Sequence, residues 1–230
     1  MKKIGLIGGM TWESTLEYYR IINDHTKSKL GESHSADCVL YSFDIYEIEK
    51  LQIKKDWVKL TKLMINAAKT LENVNADFII ICANTMHKIA DQIQENIKIP
   101  ILNIIDVTGE QIIEEGYKIV GLLGTKYTMK GAFYRDRIKE KYNIDVIVPN
   151  KNDIEIINSI IYNEICRGKK NHNNKKKCVK IMDKLIRRKA EGVILGCTEL
   201  PLFINQKDVK YKIFDTTLIH AKSAVEYALK

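Results

Sequence analysis

No apolar run in this chain approaches the roughly 18 residues that a membrane-spanning helix needs, so no membrane protein is expected. Cysteine is scarce and odd in number: five, without regular spacing, which argues against a disulfide framework. Cys38, Cys166 and Cys178 read as plain small residues, buried or half-buried. No Cys/His cluster has zinc spacing, so no metal is expected. The G-x-G-x-x-G fingerprint and the P-loop pattern are both missing. Gly5-Leu6-Ile7-Gly8-Gly9 is therefore no dinucleotide motif, and no nucleotide cofactor is expected. The opening Met1-Lys2-Lys3-Ile4-Gly5-Leu6-Ile7-Gly8-Gly9 has too short an apolar part, broken by glycines, for a secretory leader. It reads as a first strand and turn, which leaves the cytoplasm as the expected location.

Aromatics are also absent from the one dense basic patch, Lys169-Lys170-Asn171-His172-Asn173-Asn174-Lys175-Lys176-Lys177. The net charge of +8 could suggest nucleic acid, but the other lysines are scattered and no recognition motif accompanies them. The patch reads as a solvated loop or helix start, and no nucleic-acid partner is expected.

What is present is ordinary for a globular chain: 230 residues, 45% hydrophobic and 29% charged, enough for one large domain or two smaller ones. Lys3-Ile4-Gly5-Leu6-Ile7 predicts a buried strand, and Gly8-Gly9-Met10-Thr11 a turn where backbone can approach a ligand. Trp12 to Leu30 predicts a helix capped by Ser14 or Thr11, with Leu16, Tyr19, Ile22 and Thr26 at helical spacing and Gly31 ending it. Val39 to Phe43 predicts a second strand running into Asp44. Trp57 to Leu71 predicts an amphipathic helix with Leu60, Leu63, Met64, Ala67, Ala68 and Leu71 on one face. Phe78 to Cys82 reads as a third strand, Thr85 to Asn96 as the helix after it, and Pro100 to Ile105 as a fourth strand ending at Asp106. Strand and helix alternate, so a parallel sheet wrapped by helices is expected.

The pattern then begins again. Lys118-Ile119-Val120-Gly121-Leu122-Leu123-Gly124 echoes the first strand, and Tyr134-Arg135 falls in its helix as Tyr19-Arg20 does in the first. Ala83 and Cys197 stand at nearly the same offset. The expected fold class is α/β, two tandem parallel-sheet units related by pseudo-symmetry. Residues 1–105 with 212–230 would form the first unit and residues 106–211 the second. The last strand, Lys212-Ile213-Phe214-Asp215, and the helix Ile219 to Leu229 are expected to return to the first unit. Ligands of open parallel sheets bind outside the carboxyl ends of strands, so the ends after Gly8, Ile81, Gly124 and Gly196 are expected around one interdomain cleft.

Cys197 is the strongest single candidate. A cysteine at a strand end, before a helix N-terminus, is expected to have a lowered thiol pKa and to serve as base or nucleophile. An inert buried cysteine is the alternative. His87, beside the Asn84-Thr85 turn, is either a site residue or a structural one.

Five segments carry a resemblance: Gly8-Gly9-Met10-Thr11-Trp12-Glu13-Ser14-Thr15, His34-Ser35-Ala36, Asn84-Thr85-Met86-His87, Leu123-Gly124-Thr125 with Thr128-Met129, and Gly196-Cys197-Thr198-Glu199. The chain resembles the aspartate/glutamate racemase family, within the Asp/Glu/hydantoin racemase superfamily. The likeness runs nearly end to end and includes Asp215 and His220-Ala221. It implies two Rossmann-like domains with the active site between them, no cofactor, and a homodimer. It also implies two cysteines on opposite faces of the substrate α-carbon, because inversion takes a proton from one side and returns it to the other. Without pyridoxal phosphate, donors around the α-carboxylate must hold an enediolate-like charge. By the same resemblance Met10, Asn84, Thr85, Thr125 and Thr198 supply donors to the carboxylates, and Gln52 approaches the substrate. Thr198-Glu199 suits an acidic amino acid.

The departures are specific. The family's first catalytic cysteine precedes Asn-Thr, and that position here is Ala83, which carries no proton. Some similar members have threonine there and are associated with acidic amino acids and uneven handling of the two enantiomers. Cys82 is adjacent, but neighbouring strand residues point to opposite faces, so it does not substitute. Asn103 stands where similar members often have histidine. Ala83 is open to three explanations: a substitution that traps substrate, a natural one-cysteine variant, or a relative without racemisation. The expected function is racemisation of aspartate, with glutamate as a further substrate. The alternatives are a one-cysteine enzyme resembling arylmalonate decarboxylase and a protein that binds the amino acid without turning it over.

Overall fold

The computed structural model describes residues 1–169 and 171–230. Lys170, within the basic patch, lies outside the described residues. The elements in order are β1 (Ile4–Gly8), α1 (Trp12–Leu30), β2 (Cys38–Ser42), α2 (Ile45–Ile53), α3 (Trp57–Asn73), β3 (Phe78–Ile81), α4 (Ala90–Gln94), β4 (Ile101–Leu102) and α5 (Ile104–Glu114). They continue with β5 (Ile119–Gly124), α6 (Lys126–Lys130), α7 (Ala132–Tyr142), β6 (Asp145–Ile147), α8 (Lys151–Asn163), α9 (His172–Arg187), β7 (Gly192–Gly196), β8 (Lys212–Asp215) and α10 (Thr216–Leu229). The strands form two four-stranded parallel sheets, ordered β2-β1-β3-β4 and β6-β5-β7-β8. The second sheet thus repeats the topology of the first. The chain divides into one compact unit of residues 1–104 with 220–230 and another of residues 105–219.

β1, β3 and β7 are buried throughout, which is what continuous apolar runs such as Phe78-Ile79-Ile80-Ile81 require when helices cover both faces of a parallel sheet. In the first unit the two faces are separate cores. Ile4, Leu6, Phe78 and Ile80 pack with Tyr18, Ile22, Ala221, Ala224 and Val225. Ile7, Ile79 and Ile81 pack with Leu60, Met64, Ala67, Ala68 and Leu71. In the second unit Leu123, Val193 and Leu195 pack against Ile157, Ile161, Ile181, Met182 and Leu185.

Local chemistry sets the helix ends. The Thr11 side chain accepts a hydrogen bond from the Ser14 amide, and Gly31, at φ 78°, closes α1. Asn150 caps α8 and Asn171 caps α9, so the basic patch opens a helix on an exposed face.

Four expectations change. β8 pairs with β7 and completes the second sheet rather than returning to the first unit; only the chain from His220 onward does that. Its Ile213 and Phe214 pattern announces a strand, but the choice of neighbour is a non-local matter. The fourth strand is two residues long, because Ile104 already begins α5, and Asp106 sits inside that helix. The stretch after β3 is a 3₁₀ turn, Thr85–Ile89, followed by the short α4, rather than one helix. In α1 the buried face is Tyr18, Ile21, Ile22 and Thr26, while Leu16 and Tyr19 are exposed beside Trp12. The buried tyrosines therefore carry the repeat: Tyr134 follows Gly124 at the same interval as Tyr18 follows Gly8.

Candidate active site

The two central strands end at Gly8 and Ile81 in the first unit and at Gly124 and Gly196 in the second, and most of the expected site residues follow these ends. Ile7 pairs with Ile81 in the first sheet, and Leu123 with Leu195 in the second. With Gly8 matched to Gly124, one residue beyond these pairs Cys82 corresponds to Gly196. Two residues beyond, Ala83 corresponds to Cys197. Sheet register thus assigns Ala83 and Cys197 to equivalent positions of the repeat.

The first unit's strand ends are tightly built. Gly9 has φ +81°, its amide donates to Thr15 Oγ1 at 2.9 Å, and a Cβ there would come within 2.1 Å of the Phe43 carbonyl oxygen. Met10, Ala83 and Met86 are buried in one core with Ile7 and Ile81. The Gln52 side-chain amide lies 3.6 Å from the Met86 sulfur, which brings the buried end of α2 to the Asn84–His87 turn. Asn84 and Thr85 are buried in the same turn. His87 is a structural anchor within it. Its Nδ1–H donates to the Ala83 carbonyl at 2.8 Å and its Nε2 accepts from the Ile104 amide at 3.1 Å. Cys82 belongs to the opposite core, with Ile80 and Phe78, and complete burial pushes its thiol far above the usual cysteine range. It faces away from the Ala83 side, as strand alternation requires.

The second unit's strand ends carry Cys197 and Glu199. Thr125 caps α6 by accepting from the Thr128 amide, and the Thr128 methyl lies 3.3 Å from where a Gly196 side chain would begin. A Cβ on Gly124 would come within 2.6 Å of the Gly196 carbonyl oxygen, so β5 and β7 meet here without side chains. The Thr216 hydroxyl donates to the Leu195 carbonyl at 2.8 Å and ties α10 to the end of β7.

Cys197, Thr198 and Glu199 are all buried. The Cys197 thiol donates to Glu199 Oε2 at 2.8 Å, and the Thr198 hydroxyl donates to the same oxygen at 3.2 Å. The expected lowering of the thiol pKa is overturned. Burial and the adjacent carboxylate raise it well above the ordinary value, against a smaller lowering by the Glu199 amide. The chain after Cys197 enters a 3₁₀ turn, Leu200–Leu202, rather than a full helix whose positive end would favour thiolate. Glu199, expected at the substrate, has its carboxylate on the thiol. An acid two residues after a strand-end cysteine is the sequence signal that could have announced this contact.

Among the described residues no group of three or more His, Cys, Asp and Glu could hold a metal ion, and no helix is long and apolar enough to cross a membrane.

The chain is 26% identical over 226 residues to the broad specificity amino-acid racemase RacX of Bacillus subtilis (strain 168), covering 96% of each chain. It is 47% identical to a Yersinia pestis protein described as an Asp/Glu racemase, with a TM-score of 0.93 and 100% of both chains covered. It is 40% identical to an aspartate racemase homologue from Pyrococcus horikoshii OT3, with a TM-score of 0.87 over 100% of both chains. The family model for Asp/Glu/Hydantoin racemase matches residues 7–224, and with these strand-end residues the chain belongs to that family.

Proposed function

We propose that this chain is a cofactor-independent amino-acid racemase-type enzyme acting on aspartate, with glutamate as a further substrate. Cys197 moves the α-proton on one face of the substrate, and the equivalent position for the other face is occupied by Ala83. The observation that carries the reading is Cys197 itself, a buried thiol at a strand end, held 2.8 Å from a carboxylate in a chain of this family. A thiol so placed is a proton carrier rather than an exposed nucleophile.

In this reading Met10, Gln52, Asn84, Thr85, Thr125 and Thr198 bind the carboxylates. Amide and hydroxyl donors hold the charge that develops on the α-carboxylate when the α-proton leaves. Inversion requires a donor on the second face, and an alanine methyl is none. The native chain therefore exchanges the α-hydrogen of one enantiomer much faster than it inverts the centre.

Incubation of L- and D-aspartate with the protein in deuterated water tests this. Proton NMR follows loss of the α-signal and chiral chromatography follows inversion. The expected result is loss of the α-signal from one enantiomer with little inversion, abolished by Cys197→Ala. Absence of exchange in both the native chain and Ala83→Cys would remove the reading. Ala83 also favours a second one, a protein that binds the amino acid without turning it over. Calorimetric aspartate binding without exchange by the native chain would select it.

A further inference from the structure

One surface of the first unit serves neither its cores nor the strand ends: the face between α1 and β2. Trp12, Leu16 and Tyr19 recur along α1 at i, i+4 and i+7, and are 63%, 55% and 52% exposed. They stand beside Leu40 of β2, itself exposed, and with Cys38 they line an apolar cavity of about 400 Å³. Single apolar residues on a surface need no account, but a contiguous set around a groove marks a contact.

The strand under this stripe differs from the other sheet edges. Among the four edge strands, β4 has two residues, β6 has three and opens on Asp145, and β8 is bounded by Lys212 and Asp215. Shortness and charge are the ordinary means of keeping an edge from pairing with another chain. β2 has neither: Cys38-Val39-Leu40-Tyr41-Ser42 is five residues long, uncharged and free of proline. The Ile4 amide donates to the Asp37 carbonyl and the Phe43 amide to the Gly8 carbonyl, so the odd-numbered residues turn their backbone groups to β1. Cys38, Leu40 and Ser42 turn theirs to the open side, where no described residue pairs with them.

We propose that a second copy of the chain docks on this face, β2 antiparallel to β2, about a two-fold axis beside Leu40 and Leu16. Centred on Leu40, the pairing sets Leu40 against Leu40 of the partner subunit and Cys38 against Ser42 of the partner subunit. Every outward amide then meets an outward carbonyl. The charges fit the same axis. Glu13 and Arg20 border the stripe on either side of Leu16, so the two-fold sets Glu13 against Arg20 of the partner subunit, and does so twice. A different partner would have to bring an open strand, an apolar ridge and this order of charges; a second copy brings all three. The four apolar side chains offer roughly 400 Å² per copy. That is about half of the roughly 800 Å² per partner in a stable interface, and the strand edge and the α1 charges supply the rest.

This docking is independent of the reaction proposed above, because mass rather than turnover reads it. Sedimentation velocity of the whole chain at micromolar concentration is expected to give twice the mass of one chain. Leu16→Glu, at an exposed helix position, puts a carboxylate of each copy at the axis, and the dissociation constant is expected to rise on the order of a hundredfold. Leu40→Lys charges the strand edge to the same effect, and serves if Leu16→Glu fails to fold. Glu13→Arg and Arg20→Glu should each weaken the dimer about tenfold, and an equimolar mixture of the two should restore it. Hydrogen exchange followed by NMR reads the strand itself. The Leu40 and Ser42 amides should exchange slowly in the native chain and fast in Leu16→Glu, while Val39 and Tyr41 stay slow in both. A native monomer would overturn the proposal. So would a dimer indifferent to both Leu16→Glu and Leu40→Lys, or charge variants that do not restore each other.

Discussion

The Nδ1–H of His87 donates to the carbonyl of Ala83, while the same ring's Nε2 accepts from the amide of Ile104. The two bonds fix the tautomer as neutral imidazole protonated on Nδ1, since a carbonyl only accepts and an amide only donates. Ala83, the position of the repeat equivalent to Cys197, is thus held by a histidine with no nitrogen left for acid/base work. His87 sets the backbone at position 83, and the His220 ring lies edge-on to it at 5.8 Å.

His87→Ala leaves the Ala83 carbonyl and the Ile104 amide without these partners. A loss of about 2–4 kcal/mol of stability is expected, since each buried unpaired group costs about 1–3 kcal/mol. Urea denaturation measures it. Cys197 alkylation, in the other unit, should change little.

Ala83→Cys is expected to turn one-face exchange into racemisation, raising the inversion rate at least tenfold, the scale of adding a positioned proton donor. Ala83→Thr should give a smaller gain in one direction. Cys82→Ala should leave exchange within about twofold and cost about 1–2 kcal/mol as a small cavity in the opposite core. Chiral chromatography and denaturant melts on the three variants separate these outcomes.

His220 is buried, with its Nδ1 2.9 Å from the Tyr18 hydroxyl and its Nε2 2.8 Å from the Leu102 carbonyl. Burial, then the neighbouring His87, push its pKa down from 6.5 to about 3. The unfolded chain binds this proton below about pH 6.5 and the folded chain does not, so stability is full above that pH. It is lost progressively as pH falls from about 6.5 towards 3, by a few kcal/mol in all. Denaturation at pH 7 and pH 4.5, native against His220→Gln, should show a smaller acid loss in the variant.

Gly9→Ala combines a φ of +81° with a Cβ placed 2.1 Å from the Phe43 carbonyl oxygen. The backbone of the β1 turn must move, and a loss of at least about 2 kcal/mol is expected. Thermal melting reads it directly.

Much of the architecture was legible because the local patterns are strong. Phe78-Ile79-Ile80-Ile81 and Val193-Ile194-Leu195 announce buried strands, and the Gly-ended echoes announce the repeated sheet. Asn103 and Ile104 show where local reading fails: an apolar run of Ile and Leu fits a strand or a buried helix, and α5 takes Ile104 and Ile105. The sheet to which β8 belongs was decided by pairing with β7, which no local pattern encodes. The resemblance points to Gln52, but the short run Ile45–Ile53 gives little local sign of α2, the helix that delivers it. At the site, Cys197 was visible and its charge environment was not. Whether a strand-end thiol meets a helix end or a buried acid depends on how the turn after it closes.

The first unit is assembled from both ends of the chain, residues 1–104 and 220–230. One of its two cores is closed by Ala221, Ala224, Val225 and Ala228 of α10. During synthesis Ile4, Leu6, Phe78 and Ile80 emerge with α1, whose Tyr18 and Ile22 cover part of them, but long before α10, which covers the rest. Residues 105–219 are continuous and can close their own core earlier. The unit begun first is therefore the one finished last, and part of its sheet face must wait, uncovered, for α10.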